Sequence, residues 1–147
     1  MTSDIRVAFI IAEFACDPEL ITAAVGVQPS RAWKAGDMVR PSSAPRRTSG
    51  WMLEAPAGSG DDFEARAVWL LGQLPSDLRR LESVSSCWSA KLYASVYTSG
   101  DRPPLFLSPA VVQRLSELGA AIDIDLFVLP DDERENSAAM PASATRG

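Results

Sequence analysis

One stretch of the chain, residues 87–98, alternates apolar and polar positions without interruption. Its apolar positions are Trp88, Ala90, Leu92, Ala94 and Val96, and its polar or amphipathic positions are Ser89, Lys91, Tyr93, Ser95 and Tyr97. Because successive side chains of a β-strand point to opposite faces of the sheet, this pattern predicts a strand with one buried and one exposed face.

Shorter patterns predict the other strands. Residues 5–14 are mostly β-branched or aromatic, which indicates a buried strand, and residues 50–54 resemble it. Residues 122–128 alternate Ile122, Ile124, Leu126 and Val128 with Asp123, Asp125 and Phe127. A turn after residue 98 leads to residues 104–107, which we predict to be a short strand beside the one at 87–98.

Capping residues mark three helices. Asp17 and Ser108 are favourable N-caps, and each precedes a proline, which suits the first helical turn. Gly26 and Gly119 mark the ends of these two helices. Asp62 caps a third helix, in which apolar residues recur at helical spacing. These residues are Phe63, Ala67, Leu70, Leu71 and Leu74.

The order of elements is β-α-β-α-β-β-α-β, with a long loop at residues 27–50 that contains prolines, glycines and serines. It predicts an α+β fold, with helices packed on one face of a mainly antiparallel sheet. A length of 147 residues suits one domain, which we place at residues 1–129. Residues 130–147 lack apolar periodicity and are predicted to form a disordered acidic tail.

The amino-acid composition excludes several classes of catalytic and metal-binding site. The chain has no histidine, which removes Ser-His-Asp and Cys-His catalysis and the commonest zinc ligand. Its two cysteines, Cys16 and Cys87, are too few for a disulfide scaffold, and we expect both to be reduced. The apolar run at residues 7–12 is too short for a signal peptide or a membrane span, so we expect a cytoplasmic protein.

Charge is distributed unevenly along the chain. The formal net charge of −5 argues against nonspecific binding to nucleic acids, which requires many cations. The long loop nevertheless concentrates positive charge, with Asp37 as its one acidic residue. Its basic residues are Arg31, Lys34, Arg40, Arg46 and Arg47. This basic loop, residues 31–47, could hold a nucleotide phosphate, an acidic protein or the protein's own acidic tail, or it could be a solvated loop.

Several spaced residues resemble a known family. They are Asp17-Pro18, Ile21-Thr22, Gly26, Pro29, Gly36, Gly50-Trp51, Leu70-Leu71, Leu115, Leu118-Gly119 and Asp123-Ile124-Asp125. In this order they resemble a bacterial family called domain of unknown function 4279, from residue 5 to about residue 129. The resemblance implies a small cytoplasmic domain without an assigned activity, so it identifies no catalytic residue.

Two groups of residues are candidates for chemistry. Asp123 and Asp125 lie two positions apart on one predicted strand, so both carboxylates face one side. They could form a metal or acid-base pair, but no third ligand is marked and a solvated sheet face is the favoured interpretation. Lys91 could form a Tyr-Lys arrangement with Tyr93, or a Ser-Lys arrangement with the nearby serines, although such residues more often lie on a plain sheet surface.

These observations favour a non-enzymatic module that binds a protein partner or a second copy, such as an immunity protein. The proposed contact surface is the outward face of two strands, where tyrosines are favoured at interfaces. Its residues are Lys91, Tyr93, Tyr97, Asp123, Asp125 and Phe127. The alternative is a small-molecule or nucleotide-phosphate binding domain that uses Arg46 and Arg47 of the basic loop. We expect no catalytic residue, cofactor or metal.

The predicted tail provides a first test. Deleting residues 130–147 should leave the fold intact, because the segment offers no apolar stripe to bury. Thermal melts of the full-length and truncated proteins should therefore coincide. A fall of more than about 4–8 °C, which corresponds to roughly 1 kcal/mol in a smaller domain, would show that the tail docks on the fold.

Overall fold

The structure, a computed structural model, describes residues 3–38, 44–100 and 102–130. Its strands are β1 (Ser3–Ala12), β2 (Arg31–Trp33), β3 (Gly50–Glu54), β4 (Ser89–Thr98) and β5 (Ala121–Val128). Its α-helices are α1 (Pro18–Val25), α2 (Phe63–Gln73) and α3 (Pro109–Glu117), with 3₁₀ turns at Ala57–Ser59 and Arg79–Ser83. Arg40 and residues 131–147, which make up all but the first residue of the predicted tail, lie outside the described residues.

The strands form one sheet in the order β2-β3-β1-β4-β5. All neighbouring pairs are antiparallel except β4 and β5, which run parallel because α3 carries the chain back across the sheet. The predicted α+β class is therefore confirmed.

The prediction of a strand at residues 104–107 is wrong, because this segment has no regular secondary structure. Pro103 and Pro104 have no backbone N–H to donate to a ladder, which explains the absence of pairing.

The predicted caps form. The side chains of Asp17, Asp62 and Ser108 accept hydrogen bonds from backbone N–H groups in the first turns of their helices. Gly26 ends α1 with φ of 84°, a left-handed conformation that glycine adopts without strain. The starts of the three helices and the end of α1 therefore follow from local sequence signals.

The helices pack on one face of the sheet and form the core there. Trp51 of β3 is fully buried beneath them, and its indole N–H donates to the hydroxyl of Thr22 on α1 over 3.0 Å. Phe9 and Ile11 of β1 and Leu92 of β4 are likewise inaccessible to solvent. Each such side chain contributes roughly 1.5–3 kcal/mol when fully buried. None of the helices formed by the described residues is long and apolar enough to cross a membrane.

The helix layer stops short of β5. Leu92, Ala94 and Val96 of β4 are fully buried, whereas the neighbouring aliphatic residues of β5 on the same face are 38–66% exposed. These residues are Ile122, Ile124, Leu126 and Val128. The alternation in this strand indicated a buried face, but α3 packs beside α2 and does not cover it.

The other face of the sheet, which we call the open face, carries no helix from the described part of the chain. At its β2 edge the ring of Trp33 lies directly against Gly50, so that a Cβ atom at position 50 would be 2.1 Å from the ring. The guanidinium of Arg46 stacks on the same ring at 4.3 Å. Trp33 therefore packs on the sheet, and part of the basic loop folds over this end of the open face.

Substitutions at two glycines should have opposite effects. Gly50→Ala should destabilise the protein by about 1–3 kcal/mol, because the added methyl group must displace Trp33. Gly72→Ala is the matched control, since Gly72 lies in α2 with nothing near its added Cβ and should gain about 0.5–1 kcal/mol. Urea unfolding measures both. Equal stability of Gly50→Ala and the unchanged protein would contradict the contact.

Candidate interaction surface

The parallel pairing of β4 with β5 brings six predicted residues together on the open face. Tyr93 lies beside Asp123, and Tyr97 lies beside Phe127. We use the name β4–β5 patch for Lys91, Tyr93, Tyr97, Asp123, Asp125 and Phe127. The six predicted residues therefore lie at neighbouring positions of two paired strands.

Three cross-strand contacts hold the β4–β5 patch in shape. Lys91 Nζ forms an ion pair with Asp123 Oδ2 at 2.8 Å, and Tyr93 donates its hydroxyl to Asp125 Oδ2 over 2.7 Å. The rings of Tyr97 and Phe127 stack with centroids 4.7 Å apart and planes 14° apart. Each exposed contact contributes at most about 1 kcal/mol, so their main effect is to fix the arrangement of the side chains.

The hydrogen bond to the Asp125 carboxylate, with some help from partial burial, raises the pKa of Tyr93 to about 12. A tyrosine that acts as a base needs a lowered pKa, so this shift is in the opposite direction. Lys91 is held by Asp123, which leaves it poorly placed to activate Tyr93. The geometry therefore gives little support to a Tyr-Lys catalytic pair.

Both aspartates of the β4–β5 patch are engaged by the chain itself. Asp123 is paired with the ammonium group of Lys91 and Asp125 with the neutral phenol of Tyr93, so each carboxylate already has a partner within the chain. Within the described part of the chain, no group of three acidic or cysteine side chains is placed to hold a metal ion. The two residues are therefore best described as a solvated, weakly paired part of the sheet surface.

The basic loop lies at the opposite edge of the sheet from the β4–β5 patch. Lys34 forms an ion pair with Asp17 at 2.9 Å, and the hydrogen bond between them raises the pKa of Lys34 and lowers that of Asp17. Arg46 stacks on Trp33, whereas Arg47 is exposed. The structure therefore does not bring Arg46 and Arg47 to the patch.

Sequence reasoning missed a shallow depression of about 190 Å³ next to the patch. Ala8 lines it together with Arg6, Arg31, Glu54 and Tyr93, among others. These residues come from four strands, so their proximity depends on the strand order and register, which no local pattern encodes. The small side chain at position 8, between larger neighbours on β3 and β4, is the signal that could have indicated it.

The raised pKa of Tyr93 can be measured directly. Tyr97→Phe leaves Tyr93 as the sole tyrosine, so phenolate absorbance reports this group alone. Its midpoint should lie near 12, and Asp125→Asn should move it towards the ordinary value of 10 because the charged acceptor is lost. The neutral form is favoured in the folded state, so this contribution to stability should be lost as pH rises from 10 to 12. Identical midpoints would rule out the Tyr93–Asp125 hydrogen bond.

The comparison with known proteins agrees with the resemblance seen in the sequence. No curated protein and no solved structure matches the chain significantly. The model of one family, described as domain of unknown function (DUF4279), matches residues 3–129, which include every strand and helix given above. The chain therefore belongs to the DUF4279 family.

Proposed function

We propose that this protein is a non-enzymatic interaction module that binds a protein partner through the β4–β5 patch. The observation that carries the proposal is the stacked pair of Tyr97 and Phe127, two aromatic rings that remain about 40% exposed on a sheet face without a helix layer. Aromatic residues are enriched at protein interfaces, where they bury a large area and lose little side-chain entropy.

The patch is organised before any partner arrives. Each of its six side chains already contacts another across the two strands. A partner would therefore have to immobilise few side chains, which reduces the entropic cost of association. This supports binding by a preformed surface.

The charge of the chain favours a basic partner. The net charge is −5, and Asp125 lies on the patch with a neutral phenol as its hydrogen-bond partner. A basic partner would be steered towards such a surface.

Neutralisation of a toxin, as in toxin-immunity pairs, is one form that this role could take, by analogy with other small acidic domains. The proposal includes a cytoplasmic location, in which Cys16 and Cys87 are expected to stay reduced.

The alternative proposal, phosphate or nucleotide binding by the basic loop, has less support. Lys34 is neutralised by Asp17, and Arg46 is stacked on Trp33. Arg47 remains exposed, but a phosphate site needs several converging donors. A nucleotide that raised the melting temperature of the protein, but not of Arg46→Ser/Arg47→Ser, would revive this alternative.

The main proposal is tested by removing the two tyrosine rings of the patch. Tyr93→Ala/Tyr97→Ala should lower the melting temperature only slightly, because neither ring lies in the core. Crosslinked capture from the source cells should then lose the proteins that the unchanged chain retains, with binding weakened roughly tenfold or more, as expected for aromatic anchors. Light scattering reports self-association in the same variants.

Leu20→Ala/Val68→Ala is the matched control. These two residues are also exposed and apolar, but they lie on α1 and α2, away from the open face. The control should retain the captured proteins. If the tyrosine variant captures the same proteins with the same affinity as the control, the patch is not the binding surface.

A further inference from the structure

Strand β5 has a free edge. It is the last strand of the sheet, with β4 on one side and no strand on the other side within residues 3–38, 44–100 and 102–130. The N–H of Leu129 donates to the carbonyl of Thr98 at the end of β4. Because backbone groups alternate in direction along a strand, odd-numbered residues of β5 bond towards β4. The N–H and C=O groups of the even-numbered residues therefore point outward.

The side chains of these even-numbered residues are aliphatic and uncovered. They lie on the helix side of the sheet and are exposed by 45% at Ile122, 38% at Ile124, 55% at Leu126 and 66% at Val128. A groove of about 300 Å³, lined by Leu105, Leu126 and Val128 among others, continues this apolar surface. An exposed edge that is long and apolar is a template for pairing with another strand, which folded proteins usually avoid.

A second copy of the chain is a poor occupant for this edge. In an antiparallel pair of two β5 strands, the registers with the fullest overlap place Asp123 opposite the other copy's Asp125, or Asp125 opposite its own counterpart. Like charges directly opposite each other destabilise a sheet. The aspartates thus disfavour self-pairing, while the aliphatic residues on the other face remain available.

We propose that a strand of another protein, in which aliphatic residues alternate with lysine or arginine, adds to the free edge of β5. Its aliphatic side chains cover Ile122, Ile124, Leu126 and Val128 on the helix side, and its cations face Asp123 and Asp125 on the open face. Asp125 offers the better anchor, because its present partner is the neutral Tyr93 hydroxyl, whereas Asp123 already pairs with Lys91. This inference rests on the proposed function and specifies the chemistry of the partner and the way in which it binds.

The probe is an acetylated and amidated nine-residue peptide that alternates valine and lysine, with a valine-glutamate peptide as its matched control. Titrated into the ¹⁵N-labelled full chain, the lysine peptide should shift the amide signals of the even-numbered residues of β5. It should bind about tenfold more tightly than the glutamate peptide at low salt, because opposite charges replace like charges across the strands. Asp125→Asn should reduce this preference.

Two variants block the edge in different ways. Ile124→Pro removes an N–H that points outward, so it should leave the bonds to β4 intact and abolish peptide binding. Leu126→Lys keeps the backbone and places a cation on the aliphatic face, which should also abolish binding if the first variant fails to fold. Equal binding of the two peptides, unchanged binding to Leu126→Lys, or no binding at millimolar peptide would overturn the proposal.

The tyrosine variant separates this proposal from the proposed function. If the lysine peptide binds Leu126→Lys normally but not Tyr93→Ala/Tyr97→Ala, the partner contacts the face of the sheet, so the edge proposal fails and the proposed function stands. If binding depends on the edge but not on the tyrosines, the edge proposal stands, and the proposed role of the tyrosine rings in binding fails while Asp123 and Asp125 keep theirs. If the peptide does not bind, and Tyr93→Ala/Tyr97→Ala captures the same proteins as the unchanged chain, both the edge proposal and the proposed function fail.

Discussion

Strand β1 is the element on which the rest of the structure depends, because it is the central strand of the sheet, with β3 on one edge and β4 on the other. Its ten residues are in register with β4, and residues 8–12 are also in register with β3. Val7, Phe9 and Ile11 enter the core from one face, and Arg66 of α2 donates to the carbonyl of Ile5 and so ties the helix layer to this strand. The helices cover only the face of the sheet that carries Val7, Phe9 and Ile11. The opposite face of β1 and its neighbours is therefore the open face.

The sequence predicts where strands and helices lie along the chain better than it predicts which of them are neighbours in the fold. The alternation at β4 and the caps at Asp17, Asp62 and Ser108 act within a few residues, so the strand faces and the helix starts could be inferred. The parallel pairing of β5 and the exposure of its aliphatic residues could not. Both depend on where α3 lies, which is set by contacts between distant segments, such as the hydrogen bond from the N–H of Ser108 to Glu64.

The residues that suggested the family are mostly explained by packing. Asp17 caps α1 and binds Lys34, Thr22 accepts a hydrogen bond from the buried Trp51, and Gly50 leaves room for Trp33. Such roles explain why these residue types occur at these positions without any catalytic chemistry. They also explain why the motif could predict a fold and membership of the family but not a function.

The β4–β5 patch and the free edge share one strand, which makes them parts of a single surface. Asp123 and Asp125 face the open side, while the backbone between them points outward and Ile124 faces the helix side. A strand added to this edge would extend the open face beyond Asp125 and cover the aliphatic side at the same time. The exposed aliphatic residues, which a stable monomer would be expected to bury, would then be covered by the same partner that we propose for the stacked rings of Tyr97 and Phe127.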